Sequence, residues 1–407
     1  MRRVVITGLG IFSCIGNGVD EVLRSLQNGR SGIGISAERQ RLGYRSALTG
    51  ILPTIDPRDV LDRKSRLRYA EHGLYEYIAV REALQMAGMS EEYLKNNEVG
   101  IIMGNDSSAK AVIEGVDIIR EKHLTQLVGS GNVFQVMNST LSMNLAVSLG
   151  IKGASFTVSA ACSSSSHAIG LATTLIRCGM QERIICGGAQ EVNEYSVGSF
   201  DGIAAFSTRT DAPQQASRPF DVSRDGLVPS GGGAAVIVES LESAIERKAT
   251  ILGEIVGYGV STSGEHLTIP TTEGPLSAMR RALADAKLCP EQIDYVNAHA
   301  TSTPIGDANE AKALTELFAN AKPVVSSTKS MTGHELWMSG ASEIVYSTLM
   351  MNNNFAAPNI NLTQKDPNAA TLNIPTQALP LHIDAYLSNS FGFGGHNACI
   401  AFKRFEE

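Results

Sequence analysis

One cysteine stands where a predicted strand passes directly into a predicted helix. Cys162 follows the strand-like run 154–161 and precedes 163–177, where apolar residues recur at helical spacing. A thiol at the start of a helix lies near unpaired backbone N–H groups and the positive end of the helix macrodipole, and both favour the thiolate. The position therefore predicts a nucleophile with a lowered pKa. The alternative is a buried structural thiol, the usual state of a free cysteine.

Two of the eight histidines also stand where predicted strands end. His299 follows the strand predicted at 295–298, and His334 lies in the turn 329–334 after another strand. Strand ends are the usual place for site residues in an α/β fold. A cysteine hydrolase needs one base and one orienting group. Two histidines therefore indicate a second task, such as stabilising negative charge on a bound carbonyl. The alternative is that each histidine only holds its loop through hydrogen bonds.

A glycine-rich segment near the C-terminus could bind an anion. The run 388–397 reads Ser-Asn-Ser-Phe-Gly-Phe-Gly-Gly-His-Asn, and its glycines let backbone N–H groups approach a ligand. It is not a Walker phosphate loop, because no Gly-Lys-Ser/Thr ends it, and no βαβ unit follows it to make a dinucleotide site. An oxyanion hole for a thioester carbonyl fits better. The alternative is a tight turn before the last strand.

The composition limits which function this chemistry can serve. The chain has 407 residues, of which 43% are hydrophobic, so it can bury a large core. Its 41 acidic and 34 basic side chains give a formal charge of −7, which argues against general nucleic-acid binding. No run of about 18 apolar residues occurs, so no membrane span is predicted. Six scattered cysteines without a Cys-x-x-Cys pair predict reduced thiols, no zinc or iron–sulfur site and a cytoplasmic location.

The elements that must position these residues form an α/β pattern with buried strands. Strands are predicted at 3–7, 99–103, 155–159, 183–186, 234–239, 252–260, 295–298, 324–327, 385–389 and 399–402. Helices are predicted between them, for example at 20–28 and 275–286. The segments around Cys162 and His334 share one order of elements, a strand, a polar turn and a helix. The helix after His334 is predicted over 335–351. This likeness indicates an internal duplication, with halves 1–250 and 251–407 and the site between them.

Taken together and in order, these motifs resemble the elongating β-ketoacyl-acyl-carrier-protein synthases, two-histidine condensing enzymes of the thiolase superfamily. The matching segments lie at 4–10, 159–162, 216–226, 297–304, 327–334 and 389–395, and they cover nearly the whole chain. The resemblance implies a thiolase fold, in which two βαβαβαββ halves stack as five α-β-α-β-α layers. It also implies a homodimer.

The resemblance implies a decarboxylative Claisen condensation that elongates fatty acids by two carbons. Cys162 would hold the acyl chain as a thioester, and His299 and His334 would bind the malonyl thioester carbonyl and assist loss of the carboxylate. Backbone N–H groups of Cys162 and Phe393 would form the oxyanion hole. Lys329 is implied as the site lysine, with Glu310 as its acidic partner.

The remaining implied contacts concern the substrate carrier. Phe391 and Phe393 would gate access, and Thr301 and Thr303 would bind the pantetheine arm. No cofactor is implied, since the phosphopantetheine arrives on acyl carrier protein. A monovalent cation is implied near Asn297, Glu343, Ser388 and Asn389. Because the carrier is acidic, basic clusters are docking candidates, and the alternative for both clusters is an ordinary solvated surface. These clusters are Arg63, Lys64, Arg66 and Arg68, and Arg120 with Lys122.

Two segments depart from the common pattern of the family. After His334 the family often has Leu-Gly-Ala-Ala-Gly, where this chain has Glu335-Leu-Trp-Met-Ser-Gly340. Asn-Asp-Ser-Ser at 105–108 replaces a glycine-rich run. Two alternatives therefore stay open. One is a ketosynthase of a dedicated polyketide or aryl-polyene pathway, and the other is a non-catalytic partner subunit that sets chain length, against which Cys162 argues. A degradative thiolase would need a second site cysteine, whereas Cys399 lies within the last predicted strand.

Overall fold

The computed structural model describes residues 1–406 and contains fifteen strands in that range. They are β1 Val4–Ser13, β2 Gly16–Asn17, β3 Ile33–Ile35, β4 Leu48–Gly50, β5 Gly100–Gly104, β6 Ser155–Val158, β7 Arg183–Gln190, β8 Gly232–Ser240, β9 Gly253–Thr262, β10 Tyr295–Asn297, β11 Val324–Ser326, β12 Phe355–Ala356, β13 Leu379–Pro380, β14 Ala385–Phe391 and β15 His396–Lys403. Ten of them form the body of the molecule, and the short β2, β3, β4, β12 and β13 lie outside it.

The ten body strands form two sets of five with one topology. The first set runs β6-β5-β7-β8-β1 and the second β11-β10-β14-β15-β9, so each half has the order third, second, fourth, fifth, first. In both halves the first three strands of that order are parallel and the remaining pairings are antiparallel. The sets meet where β1 and β9 pair over two residues. The predicted duplicated halves are therefore confirmed, whereas the boundary at residue 250 stays a prediction.

Sixteen α-helices connect and cover the strands of residues 1–406. They are α1 Val19–Asn28, α2 Ala37–Arg41, α3 Pro57–Val60, α4 Arg63–Arg68, α5 Glu71–Met86, α6 Glu91–Asn96, α7 Ala109–Lys122, α8 Asn132–Gln135, α9 Thr140–Leu149, α10 Ser164–Arg177, α11 Glu194–Gly202, α12 Leu241–Glu246, α13 Glu273–Ala286, α14 Pro304–Leu317, α15 Lys329–Thr332 and α16 Ser339–Asn352. None of these helices is long and apolar enough to cross a membrane.

The layers follow from which helices pack on which sheet. Helix α5 covers the first set of strands and α13 covers the second, while α10 and α16 pack against each other between the two sets. Residues 339–351 of α16 are all buried, as expected of a helix enclosed on every side. A Cβ at Gly340 would lie 2.1 Å from Ser166 Oγ, so only glycine permits this close crossing of α10 and α16. The predicted five-layered α/β fold is thus present, and the two central helices begin at the site.

The predicted elements differ from the structure mainly at their ends. β7 extends four residues beyond the predicted end, because residues 187–190 pair with 232–235 of β8 despite their glycines. The helix predicted over 335–351 begins only at Ser339. Leu336 has a left-handed φ of 47°, and a short 3₁₀ turn, Leu336–Met338, precedes α16. That prediction is corrected, because apolar spacing alone does not show a reversal of φ at a non-glycine residue.

The two ends of the chain lie close to each other beside β9. The Arg3 guanidinium forms a bidentate contact with Glu254, with distances of 2.9 and 2.7 Å. It also lies 5.4 Å from the centre of the Phe405 ring and donates to the Glu406 carbonyl oxygen at 3.5 Å. Residues that are 400 positions apart are thus joined at the junction of the two halves.

Candidate active site

Cys162 stands in a strained turn between β6 and α10. The preceding residue, Ala161, has a left-handed φ of 48°, a conformation that costs about 1 kcal/mol or more in a residue with a side chain. Hydrogen bonds hold the turn: the Ala160 N–H donates to Ser164 Oγ at 2.8 Å, and Ser163 Oγ donates to the Ala160 carbonyl at 2.7 Å. The polar run after the cysteine therefore fixes its backbone.

Cys162 and both candidate histidines meet at one point. Cys162 Sγ lies 3.1 Å from Nε2 of His334. The ring centres of His299 and His334 are 5.2 Å apart, with their planes at 85°. One ligand atom from each of the three residues lies within 4.8 Å of the others, and all three residues are buried. Two strand ends of the second half thus face the cysteine of the first half.

Burial dominates the protonation of the cysteine. Burial raises the pKa of the Cys162 thiol to about 12, and the Lys329 charge and the backbone N–H groups of Phe393 and Cys162 oppose this rise only in part. The lowered pKa predicted from the helix N-terminus is therefore wrong for the free protein. The physical reason is that a thiolate with 6% of its residue surface exposed loses most of its hydration. The thiol proton must therefore leave during the reaction, and His334 Nε2 is within reach of it.

Both imidazoles are kept neutral by their surroundings. Burial lowers the pKa of His334 well below its ordinary value, and the positive charge of Lys329 acts in the same direction. The pKa of His299 is lowered for the same two reasons, in the same order, with a further contribution from His334. His334 Nδ1 is 3.1 Å from Ser339 Oγ, whereas His299 Nδ1 is buried without a hydrogen-bond partner in residues 1–406. Neutral rings can donate one hydrogen bond each to a developing negative charge.

Lys329 pairs with a different carboxylate from the one the sequence resemblance implied. Its Nζ forms a buried ion pair with Glu343 of α16. Glu310 instead accepts the backbone N–H groups of His299 and Ala300, at 2.9 and 2.7 Å, and Asn389 Nδ2 at 3.1 Å. The implied pairing of Lys329 with Glu310 is corrected. Glu310 fixes the loop that carries His299, and Lys329 supplies a buried positive charge beside both rings.

Two backbone N–H groups lie near the sulfur. Those of Phe393 and of Cys162 itself oppose the rise in the pKa of the Cys162 thiol. The approach is close, because a Cβ at Gly392 would lie 3.1 Å from the Cys162 nitrogen and 3.2 Å from the Ala160 carbonyl oxygen. The glycine-rich segment therefore places an N–H pair where the oxygen of a thioester bound to the sulfur would develop negative charge.

A cavity of about 450 Å³ leads to these three side chains. Thr301 and Thr303 line it, with their hydroxyl oxygens 3.1 Å apart. Phe391 and Phe393 line it too. The Phe391 ring centre is 6.0 Å from that of His299, and Phe393 is 36% exposed and stacks on Phe200 at 5.9 Å. The structure thus brings the four predicted gate and pantetheine residues to one channel.

Two groups of residues could hold an ion. The ligand atoms of Cys162, His299 and His334 are close enough to bind a soft metal such as Zn²⁺. Beneath the site, four oxygen atoms are buried without a hydrogen-bond partner in residues 1–406, and such oxygens suit a hard cation. They are Asn297 Oδ1, Glu343 Oε2, Ser388 Oγ and Asn389 Oδ1. Asn297 and Ser388 face each other in the pairing of β10 with β14. The second group fits the monovalent cation that the resemblance implied.

The predicted docking clusters lie on two helices outside the site. Arg63 and Lys64 of α4 are exposed, whereas Arg66 donates to the Leu61 carbonyl and Arg68 to Ser148 Oγ. On α7, Arg120 lies 3.6 Å from Asp117 and Lys122 lies 4.0 Å from Glu121, so neighbouring acids offset their charge. Exposed pairs of this kind are worth about 1 kcal/mol or less. Of the two predicted clusters, the one on α4 presents exposed cations without an acidic partner in residues 1–406.

Sequence reasoning missed three residues at the site. Ser339 contacts His334, and Phe200 forms the far wall against Phe393. Trp337 packs against Phe200 with ring centres 6.3 Å apart, and its buried Nε1 has no acceptor in residues 1–406. Ser339 and Trp337 lie in the segment that departs from the family pattern, which was the available signal. No sequence pattern marked Phe200, because it lies on α11 and its contact with Phe393 joins segments that are far apart in the chain.

Comparison with known proteins gives a consistent result over the full length. The family models "Beta-ketoacyl synthase, N-terminal domain" and "Beta-ketoacyl synthase, C-terminal domain" match residues 1–244 and 252–363. A 3-oxoacyl-acyl-carrier-protein synthase 1 of Haemophilus influenzae is 40% identical over 408 residues, which is 100% of both chains. The crystal structure of a β-ketoacyl synthase from Burkholderia phymatum has a TM-score of 0.95 at 36% identity, again over 100% of both chains. A type II polyketide ketosynthase solved with its acyl-carrier protein has a TM-score of 0.91 at 28% identity over 100% of both chains.

Proposed function

The chain belongs to the β-ketoacyl synthase family and is a 3-oxoacyl-acyl-carrier-protein synthase, and from that premise we propose which of its side chains carry each step of the condensation. The reaction joins an acyl chain to malonyl carrier protein with loss of carbon dioxide and so elongates fatty acids by two carbons. Enzymes of this family need no cofactor of their own, since the prosthetic group sits on the carrier protein. The observation that carries the assignment is the 3.1 Å contact between Cys162 Sγ and His334 Nε2.

The first step transfers the acyl chain to the cysteine. The thiol is protonated in the buried site, so its proton moves to His334 Nε2 as Sγ attacks the thioester carbonyl carbon. The N–H groups of Phe393 and Cys162 hold the resulting oxyanion. As the intermediate collapses, the pantetheine sulfur leaves and takes the proton from His334. The acyl group then remains on Cys162.

The second step removes the carboxylate of malonyl carrier protein. Loss of carbon dioxide places negative charge on the thioester oxygen, and neutral His299 and His334 each donate a hydrogen bond to it. Lys329 adds a buried positive charge near both rings, and Glu310 keeps the His299 loop in position. The carbanion attacks the acyl carbon on Cys162, the oxyanion collapses with Sγ as the leaving group, and Sγ takes up one proton from solvent to restore the thiol. A cation held by Asn297, Glu343, Ser388 and Asn389 would stabilise the carboxylate of Glu343 below the site.

The comparisons favour fatty-acid elongation over the alternatives. The synthase 1 of Haemophilus influenzae shares 40% of residues with this chain, whereas the polyketide ketosynthase shares 28%. A non-catalytic partner subunit would have no use for a cysteine in contact with two histidines. The cytoplasmic location stays a prediction.

The partners we propose are acyl carrier protein and a second copy of this chain. A ketosynthase of the same fold has been solved with an acyl-carrier protein, and the exposed Arg63 and Lys64 suit an acidic carrier. For the second copy, β6 is the outermost strand of the first set. Phe156 within β6 is 40% exposed, and Val147 of α9, which packs against β6, is 64% exposed. An unpaired edge strand next to exposed apolar residues is suited to pairing with an identical strand.

The assignment is tested by the mass of the intact protein after acyl carrier protein is added. A gain of one acyl group is expected on Cys162, and Cys178→Ser, which removes an exposed thiol, should leave it unchanged. Cys162→Ser should abolish condensation, while Cys162→Gln should keep malonyl decarboxylation. His299→Ala and His334→Ala should each lower decarboxylation by about 10²-fold or more. Full condensation by Cys162→Ala would refute the assignment.

The docking proposal is tested separately. Arg63→Glu with Lys64→Glu should raise the KM for acyl carrier protein and leave kcat unchanged. The same variant should use a small acyl-pantetheine thioester as well as the parent does, because that substrate lacks the acidic carrier. Equal losses with both substrates would show that α4 is not a docking surface.

A further inference from the structure

One hydroxyl group contacts the back of the catalytic imidazole. Ser339 Oγ lies 3.1 Å from His334 Nδ1, on the side of the ring opposite Nε2 and the sulfur. Ser339 is 1% exposed, and within residues 1–406 neither its hydroxyl nor Nδ1 has another hydrogen-bond partner. Among residues 1–406, Ser339 Oγ and His334 Nδ1 are therefore each other's single hydrogen-bond partner.

The position of Ser339 is fixed by the strained turn after His334. Leu336 holds a left-handed φ of 47° while it is 1% exposed, and the 3₁₀ turn, Leu336–Met338, delivers Ser339 to the first position of α16. The hydroxyl is thus placed by a backbone conformation that only surrounding packing can maintain.

In the proposed function, on which this inference rests, His334 needs opposite forms in the two steps. To accept the thiol proton in acyl transfer, Nε2 must be unprotonated, so the hydrogen of the neutral ring is on Nδ1. To donate a hydrogen bond to the malonyl carbonyl, Nε2 must carry the hydrogen, so Nδ1 is unprotonated. A backbone N–H at Nδ1 would favour only the second form, and a carbonyl only the first.

We propose that Ser339 is a positioning residue that supports both tautomers of His334 in turn. During acyl transfer the hydroxyl oxygen accepts the Nδ1 hydrogen, including while the ring is transiently protonated on both nitrogens. During decarboxylation the hydroxyl rotates and donates to Nδ1. No bond to carbon is made or broken by Ser339. Between the steps, water in the cavity takes the proton from one ring nitrogen and returns one to the other, so no net charge is gained.

The test compares three variants of the full chain. Ser339→Ala removes the hydroxyl, and Ser339→Thr keeps it. Ser342→Ala is the matched control, because Ser342 is equally buried one turn along α16 and contacts Glu335 rather than the ring. Histidine labelled with ¹⁵N reports the tautomer directly through proton–nitrogen correlations of the ring, and the signals of His334 are assigned by their loss in His334→Asn.

We expect Ser339→Ala to shift the ring nitrogen signals of His334 and to lower kcat for both acyl transfer and malonyl decarboxylation about tenfold, with KM unchanged. Ser339→Thr should restore both rates, and Ser342→Ala should change neither the rates nor the signals. Unchanged His334 signals in Ser339→Ala, or a loss confined to one of the two steps, would overturn the proposal. If Cys162 takes up no acyl group at all, the proposed function fails, while the nitrogen signals still decide the role of Ser339.

Discussion

At the scale of single residues, Cys162 is enclosed by protein on nearly every side. Burial raises the pKa of its thiol to about 12, so the reactive thiolate fraction grows with pH throughout the neutral range. We expect alkylation of Cys162 by iodoacetamide to be slow at about pH 8 and to keep rising through about pH 10. Peptide mass spectrometry over a pH series measures this, because each cysteine is read separately.

The chain provides internal references for that measurement. Cys178 and Cys289 are exposed and should be labelled faster than Cys162 at about pH 8. A labelling rate of Cys162 that levels off at or below about pH 8 would contradict the expectation. Such a plateau would mean that the helix N-terminus and Lys329 outweigh burial.

Glu335 is a second buried residue whose ionisation is unfavourable. Burial raises its pKa from 4.5 to about 7, and hydrogen bonds from Ser342 and Tyr346 offset this only in part. Because the folded-state pKa is the higher one, the carboxyl contributes stability below about pH 4.5 that is lost as the pH rises through about 7. We expect the free energy of unfolding of Glu335→Gln to gain about 3 kcal/mol relative to the parent between about pH 4.5 and pH 8.

Urea unfolding at both pH values measures this difference. Glu121→Gln is the control for the substitution itself, because Glu121 is exposed on α7. If the difference in the free energy of unfolding between the parent and Glu335→Gln stays constant from about pH 4.5 to pH 8, the carboxyl is already ionised at low pH or never ionises.

Residue types and spacing predicted which side chains meet at the candidate site but not their protonation. Cys162, His299 and His334 could be predicted because each lies at a strand end that the apolar pattern shows. The partner of Lys329 could not, since Glu343 lies on another helix and the contact depends on how α15 and α16 pack. The raised pKa of Cys162 depends on burial by several elements, which local sequence does not reveal.

At the scale of elements, the turn between β14 and β15 carries Phe393, whose backbone N–H is one of the two proposed oxyanion donors. Gly392 has little free space on its Cβ side, with the Cys162 nitrogen and Ala160 oxygen at 3.1 and 3.2 Å. We expect Gly392→Ala to push the Phe393 N–H away from Sγ by a few tenths of an ångström and to lower kcat about 10²-fold, because one oxyanion donor is weakened. Steady-state condensation kinetics measure the effect.

A glycine in open space provides the control for this substitution. No heavy atom lies within 4 Å of a Cβ built at Gly202, the last residue of α11. Gly202→Ala should therefore leave kcat unchanged. Equal activity of both variants would show that the hairpin turn adapts to a methyl group and that the Phe393 N–H is not critical.

The elements themselves were largely predictable from apolar periodicity, and their ends were not. The predicted strands at 295–298 and 324–327 agree with β10 and β11 to one residue. The helix after His334 begins four residues later than its pattern indicates, because Leu336 takes a left-handed φ that packing imposes. Such a conformation has no signal in a leucine.

At the scale of the whole molecule, the proposed dimer interface is the outer edge of the first set of strands, at β6. Val147→Glu with Phe156→Glu should convert the proposed dimer to a monomer, because two charges would then be buried in the interface. Light scattering coupled to size-exclusion chromatography should show half the parent mass. Ile245→Glu, which changes an apolar residue that is 61% exposed on α12, should leave the mass unchanged. A parent protein that is already monomeric would refute the dimer.

The meeting of the two chain ends beside Glu254 has a consequence for how the polypeptide is threaded. A circularly permuted gene that starts at Ile251, joins position 407 to Met1 through a short glycine–serine linker and stops at Thr250 would exchange the order of the two repeats. We expect this permutant to refold and to acylate Cys162 at a rate within about tenfold of the parent, since loop closure over a short gap costs little. The order of the two repeats in the gene would then be separable from the geometry of the site, which needs the repeats side by side but not in a given succession.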